Sequence, residues 1–396
     1  MNSFIEELQT RGYIKQSTID IASLPNNIIP YIGFDCTADS LHIGSLLQLM
    51  ILRLAVKHNI KPIVLLGGFT TKVGDPSGRN NTRPILDEKT IDNNLNSIAK
   101  LVCNMLREDN IELVDNSWWM DTMAASDYID ITRNFNMNTM LSMDSIKNRL
   151  DSKEGMSALE FNYSIIQAID FMKLNERYSC NLQIGGSDQW SNIISGINLI
   201  RKLNNKEVYG ITTPLLTNSN GDKMGKTVNG AIWLDNAKYS AIDFYQYWRN
   251  VDDSRVEEYL KLFTDLPLEE IEKMSKGDIN IMKVVLANEV TKIVHGEKLL
   301  NDALDHAKEF YDIGNGTDIS IEEGALFSKT IAEIFNLSNK EVKRLINQKA
   351  IYLDITFNND MGRIGCVYED FRVDWSKGTS VLISVGKKRK KRINII

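Results

Sequence analysis

The chain has 396 residues, 43% of them apolar and 25% charged, with a formal net charge of −6. This favours two or three ordinary globular domains, and argues against a disordered, fibrous or membrane-spanning chain, because no run approaches 18 apolar residues. Its four cysteines (Cys36, Cys103, Cys180, Cys366) are far apart with no CxxC pair, which argues against a zinc or disulfide framework and fits a reducing compartment.

The start, Met1–Leu8, carries acid early and reads as an amphipathic helix, not a targeting peptide, so a soluble cytoplasmic protein is expected. Pro30–Gly33 opens as an apolar strand and passes through a polar loop. The helix that follows bears Ile43, Leu46, Leu47, Met50, Ile51 and Leu54 on one face. Asp39 or Ser40 is expected to cap it. A strand feeding a capped helix start leaves free N–H groups aimed at the turn, which suits a phosphate. His42 and Ser45 share one stripe of the first turn, and Gly44 between them lets a flat ring approach the backbone.

Lys61–Leu66 is a buried-strand run ended by Gly67-Gly68. The polar loop Thr70–Arg83 and an amphipathic helix through Ile91, Leu95, Ile98, Val102 and Met105 follow, then a strand at Ile111–Val114. This alternation predicts a doubly wound α/β sheet. Residues 118–159 break the rhythm: Phe135, Met137, Met140, Leu141 and Met143 mark an insertion whose apolar surface is either core or a subunit face. Tyr163, Gln167 and Asp170 then line one stripe of a helix. Gly185-Gly186-Ser187-Asp188-Gln189-Trp190 follows the strand at Asn181–Ile184, at the strand end where such sheets bind ligands. After a strand at Val208–Leu216, the loop Asn218–Gly230 packs lysines and glycines too densely for a core and is expected to be mobile.

Residues 239–311 are helical in pattern, and Asp312–Thr317 reads as a linker. A small unit closes the chain: a helix at Thr330–Phe335, a capping box Ser338–Glu341 opening a second helix, strands at Ala350–Leu353 and Thr379–Val385, and a basic tail, Lys387-Lys388-Arg389-Lys390-Lys391-Arg392.

Taken in order, these segments resemble the tyrosyl-tRNA synthetases of bacterial and organellar type, a class I family. His42-Ile43-Gly44-Ser45 is similar to the HIGH signature and Lys223-Met224-Gly225-Lys226-Thr227 to KMSKS, with Gly74-Asp75-Pro76-Ser77-Gly78 and the two stretches around Tyr163 and Asp188 in register between them. The resemblance implies a Rossmann-like catalytic domain at 1–237 with a dimer-interface insertion near 118–159, a helical domain at 238–318 on the anticodon side, and an alpha-L RNA-binding domain at 325–396. It implies activation of L-tyrosine by ATP with Mg2+ and transfer to tRNA(Tyr) by a homodimer, with no metal held by the protein itself.

By resemblance, His42, Ser45, Lys223, Lys226, Thr227, Arg79 and Arg83 stabilise the transition state. Tyr31 and Asp170 meet the phenol, and Asp75, Tyr163 and Gln167 the ammonium group, with Gln189 beside them. Gly33, Asp35, Thr37, His42, Gly44, Gly186, Asp188 and Lys226 surround ATP and the adenylate. Lys343, Arg344, Lys349, Lys387, Lys388 and Arg389 meet RNA phosphates. Ser45 stands where the signature's second histidine is usual, and Arg79 where lysine is common. Two other readings are a tryptophanyl-type synthetase, against which Tyr31 with Asp170 argues, and a synthetase-like RNA-binding or splicing protein without catalysis.

Overall fold

The structure, a computed structural model, describes all residues except 1, 78–85, 152–154, 216–225, 228–229, 312–316, 320–325, 358–359, 368, 371–378, 386–388 and 396. Two compact units result, Met1–Glu297 and Lys298–Ile396.

In the first unit the apolar runs form a six-stranded sheet from β1 (Gln16–Ser17), β2 (Pro30–Asp35), β3 (Ile63–Gly67), β4 (Glu112–Asp115), β5 (Leu182–Gly186) and β6 (Tyr209–Thr213). Its order is β1-β6-β5-β2-β3-β4, parallel except for β1. Every residue of β3 is buried, as a strand covered on both faces requires. The helices Ile43–Lys57, Glu88–Leu106, Tyr163–Tyr178 and Trp190–Asn204 carry the predicted apolar stripes.

The topology places one opening. Strand order reverses between β2 and β5, which pair only at Pro30–Leu182 and Tyr31–Gln183, whereas β2–β3 and β5–β6 each stay in register to their C-terminal ends. Beyond Tyr31 the two central strands part, leaving a crevice at the switch point.

The break in rhythm after β4 is a run of short helices, Ser117–Met120, Ala125–Thr132, Met137–Leu141, Asp144–Leu150 and Ala158–Phe161. Met140 and Ile146 are core, while Trp118, Ile129, Met137, Leu141, Leu150 and Leu159 remain exposed. Arg149 is fully buried and held by Glu160 at 3.1 Å, and Glu160 also closes a capping box with Ser157.

The helical residues 241–297 belong to this same unit. The N-terminal helix Ser3–Arg11 reaches them through Arg11, which donates to the carbonyls of Lys261, Thr264 and Leu266, and Tyr13 donates to Leu262 O at 2.6 Å. These side chains satisfy carbonyls that the end of the helix Val256–Phe263 leaves open. Burial pushes the Glu7 carboxyl up, but bonds from Lys57, Arg11 and His58 outweigh it and hold it down at about 2. The helical run Ile279–Tyr311 breaks at Gly296, whose φ of 83° only glycine adopts readily.

The second unit packs the helices Phe327–Phe335 and Asn339–Asn347 on a five-stranded sheet. Its strands are β9 (Thr317–Ile319), β10 (Ile351–Phe357), β11 (Asp360–Cys366), β12 (Thr379–Val385) and β13 (Arg389–Ile395), in the order β11-β10-β12-β13-β9. The basic tail is thus corrected from Arg389 onward: this segment is an interior strand between β12 and β9. Alternation explains it, because Ile393 and Ile395 are buried while exposed Lys391 lies over the Phe335 ring and donates to Ile334 O at 2.8 Å. Lys387 and Lys388 lie outside the described residues.

Replacing Arg11 with methionine should destabilise the first unit by about 3 kcal/mol, since buried carbonyls and Glu7 lose their donor. Urea unfolding of the two proteins checks this; equal midpoints would contradict it.

Candidate active site

The crevice opens into a cavity of about 680 Å³. Tyr31, Gly33, Asp35, Thr37, His42, Gly44, Ser45, Asp75, Tyr163, Gln167, Asp170, Gly186, Asp188 and Gln189 all line it, so one space joins residues far apart in the chain.

One region is acidic and buried. Asp170, on the helix Tyr163–Tyr178, is 2% exposed and accepts from Trp119 Nε1 at 2.8 Å and Asn116 Nδ2 at 3.0 Å. Burial, reinforced by the carboxylates of Asp35 and Asp115, pushes its carboxyl up to about 7 despite those two donors. Asn116 also donates to Thr70 Oγ1 and accepts from Phe69 N. Thr70 in turn donates to Asp35 Oδ1 at 2.9 Å, and Tyr163 donates its hydroxyl proton to Asp35 Oδ2 at 3.0 Å. Gly67 must be glycine here, because a Cβ would collide with both Thr70 and Asp35. Tyr31 is 1% exposed, and its hydroxyl has no hydrogen-bond partner among the described residues. A buried phenol left in that state is one whose partner is missing.

Beside this lies an amide relay. Gln167 Nε2 donates to Gln189 Oε1 at 3.2 Å, and Gln189 Nε2 donates to Asp75 Oδ2 at 2.8 Å. Asn192 supports Gln189 at 3.1 Å. Burial and neighbouring Asp35 push Asp75 up to about 6, against the pull of its bonds from Ser77 and Gln189. Gln167 Oε1 is buried without a partner, as is Oε1 of Gln183, which is register-paired with Tyr31.

The other region is formed by the start of the helix Ile43–Lys57. The cap is His42, not Asp39 or Ser40: its Nδ1 accepts from Gly44 N at 2.9 Å. Ser40 instead donates to Leu41 O, and Asp39 pairs with Lys238, so neither is available to the helix. Because Nδ1 accepts, the proton is assigned to Nε2, leaving His42 a neutral donor. Ser45 and Gln48 share the wall with Thr213 and Trp233. A donor-rich helix start sharing one cavity with the buried carboxylates of Asp75 and Asp170 and the half-buried one of Asp35 suits a ligand with anionic and cationic or hydroxylic ends.

Arg79, Arg83 and Lys223 lie outside the described residues. Lys226 and Thr227 form β7, paired with β8 (Gly230–Ala231), and nothing is described of their side chains. Lys343, Arg344 and Lys349 are exposed on the second unit; Lys349 takes a left-handed turn at φ 56°. The backbone of Arg389 is in β13. Sequence reasoning missed Asn116 and Trp119, although their position just past β4, at the C-terminal edge of the sheet, was a usable signal. Thr70, Gln183, Gln48 and Trp233 were missed as well.

A family model described as "tRNA synthetases class I (W and Y)" matches residues 25–312. The chain is 40% identical to the tyrosine–tRNA ligase of Pelagibacter ubique (strain HTCC1062), across 100% of both chains. It is 44% identical to that of Ehrlichia ruminantium (strain Gardel), across 98% of this chain and 97% of the relative. Among solved structures, the C-terminally truncated mitochondrial tyrosyl-tRNA synthetase of Aspergillus nidulans is similar, with a TM-score of 0.68 and 28% identity, covering 78% of this chain and 94% of that one. A tryptophanyl-tRNA synthetase from Encephalitozoon cuniculi shares the fold at 14% identity and a TM-score of 0.56. The cavity at the β2–β5 switch and full-length identity at this level agree: the chain belongs to the tyrosyl-tRNA synthetases of class I.

Proposed function

We propose that the chain activates L-tyrosine with ATP, giving tyrosyl-adenylate and pyrophosphate, and then passes the tyrosyl group to the 3′ end of tRNA(Tyr). The single observation that carries the amino-acid assignment is the unpartnered hydroxyl of Tyr31, buried in the same cavity as Asp170. A substrate phenol donates to the Asp170 carboxylate and accepts from Tyr31. Each Asp170 oxygen has accepting capacity beyond the one bond it already makes. The substrate ammonium takes Asp75, Gln167 and the Tyr163 oxygen, filling the orphaned Oε1 of Gln167.

Adenylation joins a tyrosine carboxylate oxygen to the α-phosphorus, and the bond to the bridging oxygen of pyrophosphate breaks. The nucleophile is already ionised, so no general base is required. The protein's task is alignment and neutralisation of the leaving group. His42 Nε2–H and the Ser45 hydroxyl supply neutral donors at the helix start. Arg79, Arg83, Lys223, Lys226 and Thr227 are assigned to the pyrophosphate by family resemblance. With Ser45 in the signature's last position, the positive charge rests on those lysines and arginines. Asp35, Thr37, Gly33, Gly44, Gly186 and Asp188 surround the nucleotide. Mg2+ is assigned to the ATP phosphates. Among the described residues no three metal-ligating side chains converge.

The exposed apolar residues Trp118, Ile129, Met137 and Leu141 support a homodimer through the insertion. Lys343, Arg344 and Lys349, with Lys387, Lys388 and Arg389, support tRNA binding by the second unit. The free cysteines Cys36, Cys103 and Cys180 fit a cytoplasmic enzyme. No helix among the described residues is long and apolar enough to cross a membrane.

Tyrosine-dependent ATP–pyrophosphate exchange tests the reading, with phenylalanine and tryptophan as controls. Since Asp75 is pushed up to about 6 and only its ionised form attracts an ammonium, tyrosine affinity should weaken as pH falls through about 6. An affinity flat from pH 7.5 to 5 would contradict the assignment. The double variant K343A/R344A should leave this exchange unchanged while weakening tRNA charging, more so at higher salt; unchanged charging across a salt series would remove that role.

A further inference from the structure

The segment Ile232-Trp233-Leu234-Asp235 is bound to the catalytic loop at every level. Its main chain clamps the loop: Ile43 N donates to Ile232 O at 2.8 Å, Leu234 N donates to Leu41 O at 2.9 Å, and His42 and Trp233 form an antiparallel bridge. The Trp233 indole meets the His42 imidazole edge to face, with centroids 6.3 Å apart and planes at 67°. The Lys238 ammonium lies 4.9 Å from the Trp233 ring centre and pairs with Asp39, three residues before His42. Trp233 also lines the cavity.

We propose that Trp233 is a positioning residue for the adenylation step: it fixes the orientation of the His42 ring. One ring nitrogen of His42 is held by Gly44 N–H, and the indole packs against the same ring from the side. The indole is itself held against the loop by a cation that the loop's own Asp39 anchors, an arrangement favoured by the negative ring face. Loss of the indole removes this packing from the side of the imidazole, so Nε2–H is placed less well where charge develops on the nucleotide. Tyrosine is recognised by Tyr31, Asp170 and Asp75, none of which touches Trp233 among the bonds described, so its binding is untouched.

This inference rests on the role given to His42, and the test separates the two. Trp233→Leu should lower kcat of tyrosine-dependent pyrophosphate exchange about tenfold with tyrosine KM within about twofold, and Trp233→Phe should restore most of the rate. In the H42A background, W233L should add no further loss, because the two act as one unit. If W233L does not fold by circular dichroism and melting, Trp233→Met takes its place in the same cycle. If H42A alone leaves exchange unchanged, the reading of His42 falls and this inference with it. If H42A slows exchange but W233L multiplies that loss, or raises tyrosine KM in step with lowering kcat, or W233F fails to rescue, the positioning role is overturned while His42 keeps its own.

Discussion

Burying the carboxylate of Asp170 at 2% exposure is expensive unless donors surround it, and the architecture around the cavity follows from supplying them. Asn116 and Trp119 come from the turn and short helix after β4, so the sheet edge must close over the helix Tyr163–Tyr178 for either to reach it. Asn116 then binds Thr70, Thr70 binds Asp35 at the end of β2, and Tyr163 reaches Asp35 from the other side. One hydrogen-bonded ring thereby ties β2, the turn after β3, the end of β4 and the central helix together. Fully satisfied buried networks of this kind specify a single arrangement. The two polar groups left open beside it, Tyr31 Oη and Gln167 Oε1, face the same cavity, and both are of the type a tyrosine would fill.

The parting of β2 from β5 gives the second half of the design. With only Pro30 and Tyr31 in register on β5, the strand ends diverge, and the helix that leaves β2 starts on the lip of the gap. His42 does two jobs at that start. Its Nδ1 caps the helix and, by accepting that bond, leaves Nε2 as a donor. In the proposed reaction, a substrate carboxylate anchored by its ammonium and ring at the acidic region is presented toward a phosphate held at the donor-rich one. The proposed acceleration comes from positioning and neutralisation, without proton abstraction.

Much of this was legible in the residues. Strand–helix alternation gave the parallel sheet, and the Tyr163/Gln167/Asp170 stripe, which could have been a solvated helix face, faces the cavity instead. What the sequence left hidden was long-range or register-dependent. No local pattern says that Asn116 and Trp119 reach Asp170, more than fifty residues on, or that Trp233 bridges to His42 across nearly two hundred. The cap was misjudged because Asp39 and Ser40 are the better capping types, but a distant lysine and a neighbouring carbonyl engage them. The basic end looked like a solvated tail because its charges mask the alternate buried isoleucines at positions 393 and 395, on a strand that pairs not only with nearby β12 but also with β9, more than seventy residues upstream.

Selection of a phenol is assigned to the buried Tyr31 hydroxyl that has no partner among the described residues. Its most direct measurement is the ratio of kcat/KM for tyrosine to that for phenylalanine in pyrophosphate exchange, in the native protein and in Y31F. The substitution is expected to lower the ratio by about tenfold or more, almost wholly through loss on tyrosine, as for removing one hydrogen bond from a buried polar group. A ratio that stays the same, with both amino acids losing equally, would contradict it.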